Sequence, residues 1–206
     1  MLTVWGRINS INVMKVLWVL EELGVKYRRI DAGLEHGKVN DADYRAMNPN
    51  GRIPVINDDG FVLWESNAIV RYLSYKYGLG TLYPADMRHR AEAEQWMDWQ
   101  QTMFSPEIVW PFQGLVRRAE AYCDETRIQA AATTLSELFG ILNVHLADHE
   151  YLMGDDFTMA DIPLGATVWR WRNLPIKRVE LANVEAWQER LMAREAYRQH
   201  VAHPLK

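Results

Sequence analysis

The chain changes texture near residue 80, and that change constrains its fold more than any single motif does. Before it, short strand-like runs alternate with helix-like ones; from Met87 onward the strand signal disappears. Leu2–Trp5 is an apolar run closed by Gly6. Val13, Val16, Leu17 and Leu20 then repeat at helical spacing, and Gly24 supplies the stop. Residues 26–30 form a second strand candidate, followed by a loop segment. Residues 55–57, the turn Asp58-Asp59-Gly60 and Phe61–Trp64 read as a β-hairpin. Ser66 is positioned to cap a helix carrying Ile69, Val70, Leu73 and Tyr77. Two strands joined through a helix predict a parallel pair, and the hairpin an antiparallel one, so the four strands make a mixed sheet. After a linker with Gly78, Gly80 and Pro84, helices are expected near 87–120, 124–148, 160–172 and 183–200. The fold class is α+β, with one domain over 1–80 and an all-α domain over 87–206.

Composition narrows the function. The net charge of the 206 residues is -4, and no basic block is present, which argues against a nucleic-acid partner. No apolar run approaches the ~20 residues that span a bilayer. The start MLTVWGRINS lacks a charged segment followed by an apolar one, so no signal peptide is expected. Cys123 stands alone, which excludes an internal disulfide, a CxxC pair and a multi-cysteine zinc site, and fits a reducing cytoplasm. No metal is expected.

Four local signals carry chemistry. Ser10-Ile11-Asn12 lies between the first strand and first helix, where free N–H groups and the helix dipole favour an anion. Simple N-capping explains the same residues. NPNGRIPV, residues 48–55, has two prolines and a glycine leading into a strand, a rigid turn. Trp64-Glu65-Ser66-Asn67 opens a helix; Ser66 with the helix end suits a carboxylate and Glu65 an ammonium, or the pair is a cap with a first-turn acid. In GDDFTMAD, residues 154–161, Thr158 and Asp161 have capping-box spacing and read as structural.

Taken in order, these segments resemble the glutathione transferase superfamily, bacterial and of serine or asparagine type, near its theta- and nu-like classes. NPNGRIPV is similar to the family's NPxGxVP segment, WESNAI to its ESxAI segment, and GDDFTMAD to its buried capping-box motif. The resemblance implies a thioredoxin-like N-terminal domain that binds glutathione as co-substrate, a helical domain that holds the electrophile, and a cytoplasmic homodimer. It implies that Ser10 faces the sulfur, with Asn12 as a second or leading donor. It places Ile53 backbone groups, with Pro54 in cis, on the cysteinyl part, Glu65 and Ser66 on the γ-glutamyl end, and Arg52 with Lys38 on the glycyl carboxylate. No Tyr lies between Gly6 and Lys15, so a tyrosine-type site is not expected.

For the electrophile, Trp96, Trp99, Gln100, Met103, Phe104, Trp110 and Phe112 crowd one helical stretch, with Pro106 and Pro111 suggesting a break. Trp99, Met103, Phe104 and Trp110 are the pocket candidates; an aromatic and Met stripe also reads as core. The expected activity is thiolate attack on a small apolar electrophile. Glutathione-dependent disulfide reduction, or a non-catalytic binding or regulatory role, are the alternatives.

Overall fold

The computed structural model describes all residues, Met1–Lys206. The first unit holds β1 (Leu2–Trp5), α1 (Ile11–Glu22), β2 (Tyr27–Ile30), a 3₁₀ turn at Leu34–His36, α2 (Ala42–Met47), β3 (Val55–Asp58), β4 (Phe61–Trp64) and α3 (Ser66–Gly78). The sheet order is β2-β1-β3-β4; β1 runs parallel to β2 and antiparallel to β3, and β3 antiparallel to β4. The mixed sheet anticipated from strand order is therefore present. Asp58 pairs with Phe61 across a two-residue turn in which Asp59 and Gly60 have φ of 51° and 98°. Positive φ at both positions matches the right-handed twist of the flanking strands. The segment before β3, read as loop, contains the six-residue α2.

The second unit is helical: α4 (Met87–Trp99), a π turn at Gln100–Phe104, α5 (Ser105–Pro111), a π turn at Phe112–Val116, a 3₁₀ turn at Glu120–Tyr122, α6 (Glu125–His145), α7 (Asp161–Asn173), α8 (Ala182–Ala193) and α9 (Glu195–His200). The expected break at the prolines is absent; residues 87–116 run on as one helical rod interrupted by two π turns. Pro106 closely follows the first π turn and Pro111 directly precedes the second, so each proline sits beside a local widening of the helical hydrogen-bond ladder.

One apolar core joins the two units. Every residue from Val13 to Leu20 is buried, because α1 packs against α3 on its own side and against α7 and α9 on the other. Trp18 meets the Tyr197 ring edge-on at 4.8 Å and the Phe157 ring at 5.5 Å. A helix enclosed on all sides must be apolar nearly all round, as α1 is.

Candidate active site

The turn from β1 into α1 is tight. Gly6 has φ 155°, and a Cβ there would lie 2.4 Å from a Val13 methyl carbon. Glycine lets the loop close on the helix and leaves Ser10 at the cap position. The Ser10 carbonyl accepts the Val13 and Met14 N–H groups, both at 2.9 Å, but its hydroxyl makes no capping bond and faces a cleft. Ser10 thus caps with its backbone only. The Ile11 and Asn12 N–H groups, at the first turn, have no intrahelical acceptor.

The adjoining wall is the NPNGRIPV turn. Asn48 is buried; its Nδ2 donates to the Arg52 carbonyl at 2.9 Å and its Oδ1 accepts from the Asn50 N–H at 3.0 Å. Tyr44 donates to the same Arg52 carbonyl at 2.9 Å. These bonds hold Ile53 against the cleft, and the Ile53–Pro54 peptide is cis. Neither the N–H nor the carbonyl of Ile53 has a partner within the protein. Arg52 lines the cleft. Lys38 does not: it is exposed on the outer loop, and Leu34 and Val39 line the cleft there instead.

At α3 the structure revises the expected cap. Ser66 is the first helical residue, and Glu65 occupies the cap position with φ 71°, without a side-chain cap bond. A left-handed non-glycine residue is uncommon and concentrates at functional sites. The buried Ser66 hydroxyl donates to Asn12 Oδ1 at 3.2 Å, tying the starts of α1 and α3 together. The Asn12 side-chain carbonyl is thereby engaged, and its amide N–H groups are not.

Beneath this floor lies a residue that sequence reasoning passed over. Lys15 is fully buried, and its Nζ donates to Asn67 Oδ1 at 3.2 Å and Gln100 Oε1 at 3.0 Å. Gln100 Nε2 reaches Ser105 Oγ at 3.0 Å and Thr167 Oγ1 at 3.2 Å. No carboxylate pairs with Lys15. Burial, and then the charge of Arg170, push its pKa down to about 7, while Glu65 pulls it upward. A single lysine inside the run VMKVLWVL is a signal that was available.

The opposite wall comes from the helical unit, and it corrects the aromatic candidates. The cleft, about 430 Å³, is lined there by Gln100, Gln101, Ser105, Ile108, Phe112 and Arg170 among others. Trp99, Met103, Phe104 and Trp110 do not line it. Phe104 is fully buried between the Trp99 and Phe139 rings, with centroids at 4.8 and 4.9 Å. Trp110 packs on Tyr122 at 5.1 Å, and Met103 points to the exterior. The first π turn changes the helical phase of the residues that follow Trp99. Each extra residue in a helical turn rotates the remainder of the helix by ~100°, and π turns of this kind gather at functional sites. Trp171 stacks on Phe139 in the core, and Trp169 donates to the His203 carbonyl; neither reaches the cleft.

At the start of α7 the structural reading holds. Asp161 is fully buried and accepts from the Thr158 N–H, the Leu152 N–H and Trp187 Nε1, each at 3.0 Å. Burial pushes its carboxyl up to about 6, against the pull of those three donors. Thr158 Oγ1 accepts from the Ala160 N–H at 3.3 Å. No group of three or more His, Cys, Asp or Glu is arranged to hold a metal ion, and no helix is long and apolar enough to cross a membrane.

Comparison with known proteins gives a consistent picture. Residues 1–75 match the family model for the glutathione S-transferase N-terminal domain, and residues 94–195 the model for its C-terminal domain. The chain is 41% identical to the glutathione S-transferase GstB of Escherichia coli strain K12, with both chains covered in full. It is 34% identical to glutathione S-transferase 3 of Zea mays, over 98% of this chain and 93% of that one. Among solved structures it is similar to a theta class glutathione S-transferase from the citrus canker pathogen Xanthomonas axonopodis pv. citri, solved with glutathione bound. That likeness has a TM-score of 0.94 and 45% identity, over 100% and 99% of the two chains.

Proposed function

Since the chain belongs to the glutathione S-transferase family, we propose that it binds glutathione along the Ser10, Ile53 and Ser66 side of the cleft and transfers it to an electrophile held by the helical wall. The observation that carries this reading is the Ser10 hydroxyl, unspent at the start of α1 and open to the cleft. In it, residues 1–80 supply the glutathione site and 87–206 the electrophile site.

The chemistry rests on charge. A free thiol has a pKa of ~8.5, so only a small fraction is thiolate at neutral pH. A hydrogen bond to a charged group contributes ~1.5–3 kcal/mol, which lowers a pKa by ~1–2 units. The start of α1 adds ~0.3–1 kcal/mol in the same direction. Ser10 together with the helix end therefore ionises much of the bound thiol without a general base. Asn12, its amide oriented by Ser66, is the second donor. The unpaired Ile53 backbone suits the peptide of the cysteinyl residue, and Glu65 and Ser66 suit the γ-glutamyl head. Arg52, on the cleft, is better placed than Lys38 for the glycyl carboxylate.

The test is a titration of thiolate absorbance in the glutathione complex. An apparent pKa of ~6.5–7.5 is expected, from the shift just derived. A value near 8.5 in the complex would remove the reading. Parallel assays with an activated aryl chloride and with a disulfide substrate separate conjugation from disulfide reduction. The homodimer and cytoplasmic location that go with the family are part of the same proposal; analytical ultracentrifugation checks the first and fractionation of cells the second.

A further inference from the structure

Three guanidinium groups converge on the cleft: Arg7 from the loop after β1, Arg117 just past the second π turn, and Arg170 from α7. Arg7 and Arg170 are each only 8% exposed. Some partly buried arginines elsewhere meet carboxylates: Arg127 pairs with Glu107 at 2.7 Å, and Arg194 with Glu22 at 2.7 Å. None of the three cleft arginines forms such a pair. Arg7 Nε is buried without any acceptor. The Arg170 guanidinium lies over the Phe112 ring, 3.7 Å from its centroid, and Arg117 lies near the same ring at 4.7 Å. The one polar contact among them runs from Arg117 Nε to the Lys206 main-chain oxygen at 3.3 Å. Glu35, whose charge opposes but does not outweigh the effect of burial on Arg7 and Arg117, is exposed and in contact with His36.

Buried charges without partners are strongly disfavoured, and these three repel one another. Burial first, and then the charges of Arg117 and Arg7, push Arg170 down to about 9. An incoming anion would meet donors of which only Arg117 Nε is already engaged, and Arg is suited to bidentate capture of a carboxylate. Glutathione's own carboxylates have groups on the other wall, whereas Arg117 and Arg170 belong to the electrophile side. We propose that the electrophile carries a carboxylate on an apolar body: Arg7 and Arg170 hold the carboxylate, Arg117 adds charge at the rim, and Phe112 and Ile108 contact the body. This rests on the transferase reading of the cleft. For a chloroarene carboxylate, the thiolate sulfur forms a bond to the ring carbon bearing chlorine. Chloride leaves with the electron pair of the broken C–Cl bond. The thiol proton has already gone to solvent, and nothing is oxidised or reduced overall.

The experiment compares 4-chloro-3-nitrobenzoate with the neutral 4-chloro-3-nitrobenzamide, in the unsubstituted protein and in Arg170→Met and Arg7→Gln. The ratio of kcat/KM for benzoate over benzamide should fall about 10- to 100-fold in each variant, the range expected for lost charged hydrogen bonds. Calorimetric binding of the unreactive pair 3-nitrobenzoate and 3-nitrobenzamide gives a readout independent of turnover. The wild type should prefer the anion, and the variants should lose that preference. An unchanged ratio, no preference for the anion, or a loss appearing instead as a raised KM for glutathione overturns the proposal. Failure of the wild type to conjugate either chloroarene, alongside a clear preference for the anion, would sink the transferase reading and leave the anion site standing.

Discussion

Two helix starts that look alike in sequence differ in what they do with their polar atoms. At α7, Thr158 and Asp161 are buried and bonded to Ala160, Leu152 and Trp187 as well as to each other. At α1, Ser10 occupies the same kind of position and bonds through its backbone alone. Residue type does not separate the two; unspent hydrogen-bonding capacity does. A buried polar group left open costs ~1–3 kcal/mol, so an enclosed helix start must be fully bonded. A helix start on a cleft can leave its hydroxyl to water until a ligand arrives.

Substitutions can break or sharpen that contrast. Asp161→Ala should have the largest effect. It orphans three buried donors, and a stability loss of roughly 4 kcal/mol or more is expected, allowing for non-additivity. Urea denaturation measures it, and a loss below ~1 kcal/mol would show that the α7 start is not a structural knot. Ser10→Ala should do the opposite. Stability should hold within ~0.5 kcal/mol, because no side-chain cap is lost, while the pKa of bound glutathione rises by ~1–2 units. Asn12→Ala should move that titration less. If stability fell and the titration stayed put, Ser10 would be a cap after all. Glu65→Ala should raise the KM for glutathione roughly tenfold or more with a smaller change in kcat, since its contact is remote from the sulfur. Steady-state kinetics with varied glutathione decide this; an unmoved KM removes Glu65 from the site. Thr158→Ala should be mildest, at ~0.5–1 kcal/mol of stability with an unaltered thiol titration, because its cap bond is long.

Much of the fold was legible because its signals are local. The hairpin turn needs two residues of positive φ, and Asp59-Gly60 declares it. Four strands with a helix between the first two dictate a mixed sheet. The site was legible where a motif is contiguous, as at Ser10 and NPNGRIPV. It was illegible where space, not sequence, brings groups together: Arg7, Arg117 and Arg170 come from three distant segments. The aromatic wall was misplaced for a different reason. Crowding of aromatic residues in one helical stretch does not say which face each takes: at ~100° per residue Phe104 points roughly 140° away from Trp99, and it packs in the core while Trp110 packs on Tyr122. α2 escaped notice because six residues with one buried side chain, Tyr44, carry almost no periodic signal.

The setting of α1 bears on how such a chain is inherited and can be recombined. This helix belongs to the first unit by connectivity, yet half of what shields Trp18 and its neighbours comes from α7 and α9. Its one buried charge, on Lys15, is held jointly by Asn67 from one unit and Gln100 from the other. Severed at the linker, the first unit would present water with a bare apolar stripe and an ammonium missing half its acceptors. The two halves are thus not interchangeable parts. A hybrid joining the first half of this chain to the second half of a relative should succeed only where the relative supplies an acceptor at the place of Gln100 and aromatic cover at the places of Phe157 and Tyr197.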